Sequence, residues 1–167
     1  MNQQSIRVIF FDLGDTLVRA KSVSPGGVKF DWVQGAKEVL RELRQESLHL
    51  GIISNTASLS RKQLLKRLPS DFSFDIFDGD LILLSSEVTI EKPDARIFRL
   101  AISKAQHLPD AAVNLKIDPC NCLFCGESLE ECLVAQRVGM VAARVQLHPN
   151  PDIGQLASHL REGGLLD

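Results

Sequence analysis

The stretch Ile6–Val18, IRVIFFDLGDTLV, decides the fold. Val8, Ile9, Phe10 and Phe11 form an apolar run too short for an ordinary helix and rich in strand formers. That run predicts a buried central strand. It stops at Asp12-Leu13-Gly14-Asp15-Thr16. An acidic residue at the end of a buried strand, followed by a glycine-containing turn, stands where open α/β sheets place their ligand chemistry. Asp12 can act there as nucleophile or metal ligand, and exposed amides of the turn can receive an anion. A strand followed by a plain polar turn fits the same residues, so the rest of the chain has to decide.

The chain has 167 residues, 44% of them hydrophobic, which suits one domain over residues 1–167 with a sizeable core. Formal charge is -2 without a long block of either sign, so neither nucleic acid nor a membrane surface is an expected partner. No apolar run approaches the roughly 20 residues that cross a bilayer. The N-terminus MNQQS lacks the basic and apolar regions of a secretory signal, and a cytoplasmic protein is expected. The four cysteines fall between Cys120 and Cys132, a poor disulfide framework for a whole fold and a better fit to reduced thiols or a metal.

Working outward, residues 19–31 are polar around Pro25-Gly26-Gly27 and predict a short hairpin or flap over the end of the first strand. From Trp32 to Arg44 the apolar positions Val33, Ala36, Val39, Leu40 and Leu43 recur at helical spacing. His49–Ser54 reads as a second buried strand, ending at Ser54-Asn55-Thr56. Ser58 or Ser60 can cap the helix that follows, and Pro69 limits it. Phe72, Phe74, Ile76 and Phe77 make a packing stripe. Asp80–Ser86 predicts a third strand, leading through Glu87 to the turn Glu91-Lys92-Pro93-Asp94. Asp94 can cap a helix through about Ala105, and a weaker helix is expected over residues 110–115. Strands at 122–125 and 140–144 flank a helix at 130–138, and a last helix runs from residue 152 or 153 to 160. Short buried strands alternating with amphipathic helices argue for βαβ units and a parallel sheet.

Parallel strands direct their C-terminal ends to one edge, where Asp12 and Asp15, Ser54 and Asn55, Lys92, and Glu127 with Glu131 can converge. A carboxylate, a hydroxyl, an ammonium and a carboxylate-held cation form a coherent set for phosphoryl transfer. Asp12 could attack phosphorus while Ser54 and Lys92 hold nonbridging oxygens and Mg²⁺ offsets charge. Magnesium suits an oxygen-rich site with room for water and phosphate.

These residues resemble the haloacid dehalogenase-like phosphohydrolases over nearly the whole chain. The matches are FFDLGDTLV at 10–18, GIISNT at 51–56, EKPDARIF at 91–98 and CLFCGESLEECLVAQRVGM at 122–140. The resemblance implies a three-layer Rossmann-like α/β core without a domain-sized cap, its central parallel sheet ordered third-second-first-fourth-fifth strand. It also implies an aspartyl-phosphate intermediate hydrolysed by water. By motif position Asp12 carries over as nucleophile, Ser54, Asn55 and Lys92 as phosphate holders, and Glu127 as replacement for the acidic metal ligand.

The departures are as informative. The phosphatase pattern is Asp-x-Asp-Gly-Thr, whereas here the third position is Gly14 and the fourth Asp15. The absent Asp would protonate the leaving group and then activate water. Gly14 can offer Mg²⁺ a backbone carbonyl but no acid or base, and such assistance is commonly worth about 10² to 10⁴ in rate. Asp15 could supply it only through a shifted turn. The usual Gly-Asp of the metal loop is Gly126-Glu127, and the second carboxylate position falls at Glu131 or Cys132. A thiol is a poor ligand for so hard a cation, whereas Glu131 can act directly or through water. The resemblance therefore leaves two readings open: a slow Mg²⁺-dependent phosphomonoesterase, or a degenerate binding or regulatory domain. The dehalogenase branch also works without that acid, but it uses a substantial cap for which this chain has no room.

Cys122-x-x-Cys125 has zinc-like spacing, but alternation along a strand directs the two thiols apart, as small buried hydrophobes. Cys120 is the candidate for exposure. None of His49, His107, His148 and His159 has a partner at ligand spacing, and His148-Pro149-Asn150-Pro151 is a turn signal. Arg19 and Lys21 in the flap could meet an anionic substrate or simply be solvated. An open site would admit a phosphorylated small molecule or macromolecule, or be completed by a protein partner or a second copy.

Overall fold

The computed structural model describes residues 5–21, 27–108, 116–146 and 152–166. In chain order, β1 (Val8–Phe11) is followed by β2 (Val18–Lys21) and β3 (Lys29–Trp32), then α1 (Ala36–Gln45), β4 (His49–Ser54) and α2 (Arg61–Leu65). Next come β5 (Ile82–Leu84), α3 (Ser85–Val88) and α4 (Ala95–Gln106). The chain then runs through β6 (Cys122–Gly126), α5 (Leu129–Arg137), β7 (Val141–Arg144) and α6 (Leu156–Glu162). Five strands form a parallel sheet in the order β5-β4-β1-β6-β7, the order expected from the resemblance.

β1 is central because both of its faces are covered. Ile9 and Phe11 join α1 residues Val39, Leu40 and Leu43 and α6 residues Leu156 and Leu160 in one cluster. Val8 and Phe10 point to the other face, against Ile97, Phe98 and Ala101 of α4 and Ala135 of α5. All four β1 residues have no exposed surface, and each such large apolar side chain contributes about 1.5–3 kcal/mol by leaving water. The result is three layers, with the sheet between two sets of helices. Among the described residues no helix is long and apolar enough to cross a membrane.

β2 and β3 pair antiparallel as a hairpin, Val18 opposite Trp32 and Lys21 opposite Lys29. Trp32 therefore belongs to a strand and not to the start of a helix. Its indole donates to Asp71 Oδ1 at 2.7 Å and its ring stacks on Phe72 at 5.4 Å, contacts that an extended backbone makes and a helical one would forgo. Phe30 N also donates to Arg67 O, so the hairpin is tied to the segment after α2. The third strand is shorter than its apolar run suggests. Asp80 and Leu81 lie in a 3-10 turn, and Ser85 and Ser86 begin α3. There Ser85 Oγ accepts from Thr56 N and Ser86 Oγ donates to Leu59 O, which holds the loop after β4. The last helix begins at Leu156, because Asp152 is drawn into bridges with Gln34 and Gln146. The helix expected at 110–115 and the turn at 148–151 lie outside the described residues.

Smaller expectations hold. Ser60 caps α2 in a reciprocal arrangement with Gln63, and Asp94 caps α4 by accepting from Arg96 N. Phe72, Phe74 and Phe77 pack on one another. Cys122 and Cys125 enter opposite core clusters, as strand alternation requires.

Gly51 faces Phe10 across the β1–β4 ladder, and a Cβ there would lie 2.6 Å from the Phe10 ring and 2.8 Å from the Leu81 carbonyl oxygen. Gly51→Ala should destabilise the protein by about 1–3 kcal/mol, read as a lower urea midpoint with unchanged slope. Burial pushes the Cys122 thiol up to about 12 and raises those of Cys125 and Cys132, leaving half-buried Cys120 as the accessible thiol. At pH 8 a maleimide should therefore label one cysteine of the native protein and four after denaturation, as counted by intact mass.

Candidate active site

The register places Asp12 just beyond β1, Ser54 at the end of β4 and Glu127 just beyond β6, at one edge of the sheet. Asp12 N donates to Cys125 O at 2.9 Å, fixing the end of β1 against β6. Gly126 has a steric reason. A Cβ there would come within 2.9 Å of the Phe124 ring and 3.6 Å of the Asp12 Cβ.

Lys92 stands at the centre. Its Nζ lies 2.8 Å from Asp12 Oδ1 and 2.8 Å from Glu131 Oε2, and 5.4 Å from the centroid of the Phe124 ring. The Lys92 side chain is only 1% exposed, so these partners replace its hydration. Leu13 N donates to the same Asp12 Oδ1 at 2.7 Å, which leaves Oδ2 outside both contacts. Asn55 holds the lysine from behind. Its Nδ2 donates to Lys92 O at 2.9 Å and its Oδ1 accepts from Lys92 N at 2.8 Å. The Asn55 side chain thus grips the backbone of Lys92, and Ser54, buried one residue earlier, is carried on the same loop.

Acidic charge gathers on the opposite side. Burial, then the charges of Asp12 and Glu131, raise the Glu127 carboxyl above its ordinary range; Lys92 opposes this, and Asp15 adds a smaller push. Burial likewise raises Glu131, against the nearby Lys92 ammonium. Glu131 is therefore engaged with the lysine. Asp15 is exposed, with a left-handed φ of 51°, and its amide donates to Val18 O at 2.8 Å. Gly14 lies between, with no atom within 4 Å of where a Cβ would stand.

Among the described residues Thr16 Oγ1 and Glu127 Oε2 are buried side-chain oxygens without a hydrogen-bond partner, whereas buried Glu131 Oε2 is met by the Lys92 ammonium. The two unpartnered oxygens lie on the turn after β1 and the segment after β6. Unsatisfied buried oxygens are costly, and their concentration at one edge marks a place where a ligand completes the structure. No closed cluster of three His, Cys, Asp or Glu side chains exists among the described residues. Mg²⁺ does not need one, because it retains waters and takes one or two carboxylates together with phosphate. Asp12, the Gly14 carbonyl and Glu127 fit that pattern, with Glu127 Oε2 the orphan that a cation would satisfy.

Arg144, outside every motif that points to the site, has its Nε donating to Glu127 O at 2.9 Å. The signal was present, since it ends a parallel strand at the same edge as the other site residues. The two-point grip of Asn55 on Lys92 had no signal, because the residues are distant in the chain.

Lys92→Met keeps the packing over Phe124 but leaves two carboxylates facing each other in a largely buried space. It should cost about 3–5 kcal/mol near neutral pH in urea unfolding. Burial already holds the Glu131 carboxyl above its ordinary range and Lys92 opposes this, so losing the ammonium raises Glu131 further and the deficit should shrink as pH falls from 7 to 5.

The family described as haloacid dehalogenase-like hydrolase matches residues 26–145. No curated protein matches the chain significantly. A HAD family enzyme from Bacteroides thetaiotaomicron, BT-2542, solved with magnesium and inorganic phosphate, superposes with a TM-score of 0.66 at 16% identity over 87% of this chain and 97% of that one. A predicted HAD-like family hydrolase from Porphyromonas gingivalis gives 0.64 at 16% identity, covering 94% and 97%. A dehalogenase gives 0.55 at 21% identity, covering 77% of this chain and 50% of that one. At these identities the structures establish the fold alone. The sheet order and the extent of the family match together place this chain among the haloacid dehalogenase-like hydrolases.

Proposed function

We propose that this protein is a slow, Mg²⁺-dependent phosphomonoester hydrolase working through an aspartyl-phosphate on Asp12. The carrying observation is the buried ammonium of Lys92 fixed 2.8 Å from Asp12 Oδ1, beside the orphaned Glu127 Oε2. Asp12 Oδ2 forms a bond to phosphorus as the bond to the leaving oxygen breaks. Lys92 and the Ser54 hydroxyl hold the nonbridging oxygens, with Asn55 keeping Lys92 in place. Mg²⁺, held by Asp12, the Gly14 carbonyl and Glu127, would offset negative charge on the nucleophile and the phosphate. The leaving alkoxide takes its proton from water, since Gly14 has none to give. Water then attacks the aspartyl-phosphate, releasing phosphate and restoring the carboxylate. The substrate is a phosphorylated small molecule or macromolecule in the cytoplasm, and a protein partner or second copy could complete the pocket.

A phosphomonoester panel assayed with Mg²⁺ tests the proposal. Asp12→Asn and chelation should each remove turnover, and activity unchanged in D12N would overturn the nucleophile assignment. The open space before Gly14 has room for a side chain, and its backbone is not left-handed. Gly14→Asp should therefore raise turnover, by up to about 10²–10⁴. Absence of turnover in both the natural chain and G14D would favour the noncatalytic reading, which the bare Gly14 otherwise supports.

A further inference from the structure

Arg144 ends β7 opposite Gly126, and Asp12, one residue past the Phe11–Cys125 pair, stands level with Gly126 on the other side. The three residues form a row across adjacent strands, which sets Asp12 and Arg144 Cα atoms roughly 10 Å apart. The Arg144 Nε donates to Glu127 O, so the guanidinium leans back over the end of β6, toward the site and not away from it. Among the described residues its Nη groups have no hydrogen-bond or ion-pair partner. The residue is exposed at the rim.

From this geometry we infer that Arg144 selects substrates carrying a second anionic group, a carboxylate or a second phosphate, a few bonds from the phosphoryl group that Asp12 receives. The inference rests on the hydrolase reading of the same site. A phosphate seated against Lys92 meets Asp12, Glu127 and Glu131 around it, all acidic, so another anion on the substrate needs a cation of its own. Lys92 is already shared by two carboxylates. Arg144 offers a planar fork of free donors at the neighbouring strand end, the arrangement that binds carboxylate or phosphate in a bidentate manner. Its anchor through Nε orients the fork without consuming it.

The test uses three ligands on one carbon skeleton: phospholactate, propylene glycol bisphosphate and isopropyl phosphate. Affinities are measured by calorimetry with Mg²⁺ in the Asp12→Asn background, and turnover is measured in the natural chain. Both doubly anionic ligands, or one of them, should bind about tenfold or more tightly than isopropyl phosphate. Arg144→Gln should reduce that preference to within about twofold, and Arg144→Lys should retain part of it, as a point charge without the fork. Whichever charged ligand shows the larger preference names the second group as carboxylate or phosphate. If Arg144 only supports the Glu127 loop, R144Q would weaken all three ligands equally and the preference would survive, overturning the inference. A preference that depends on Arg144 without hydrolysis of any ligand would instead refute the hydrolase reading and leave the anion site standing.

Discussion

The site depends on one buried ammonium. Lys92 is nearly inaccessible to water, and its charge is tolerable there because Asp12 and Glu131 close on it from two elements that lie far apart in the chain. Such a triad contributes less net stability than its short distances suggest, since desolvation offsets most of the attraction. It does dictate geometry. Asp12 is held at one oxygen by the lysine and by Leu13 N, so its other oxygen has a defined place. The packing of Phe124 under the ammonium and the bare Gly126 beside it are parts of the same constraint.

That constraint explains how the acidic residues divide. Glu131 carries the charge that balances Lys92, while Glu127, just before the α5 cap, has a buried oxygen unmatched. Two glutamates close in sequence thus differ electrostatically, one compensating the Lys92 ammonium and the other holding a buried oxygen without a partner. Burial is the first cause of the raised carboxyls of both residues, and the negative charge of their neighbours adds to it.

Much of this was legible in the sequence, because the fold is written in short apolar runs and the site in the polar residues that end them. Val8–Phe11, His49–Ser54 and Cys122–Cys125 are strands for local reasons, and parallel pairing then makes their ends neighbours. What was not legible depended on contacts between distant segments. Trp32 has a helical spacing with Val33 and Ala36, but its indole is claimed by Asp71 and Phe72. Ser85 and Ser86 continue an apolar run, yet their hydroxyls serve the loop after β4. Glu131 has the sequence position of a metal ligand, and only the fold sets it against Lys92. Arg144 ends a predicted strand, but it is the row it shares with Gly126 and Asp12 that sets it beside the site.

The grip of Asn55 on Lys92 has a consequence for the entropy of binding. Ser54 and Lys92 come from different loops, which could each wander and meet a ligand only by chance. Two hydrogen bonds through the side chain that follows Ser54 join those loops into one body before any ligand arrives. The loss of freedom needed to bring hydroxyl and ammonium together is then met during folding and not during each encounter. A site with one strong cation can in this way bind a small anion without having to close around it.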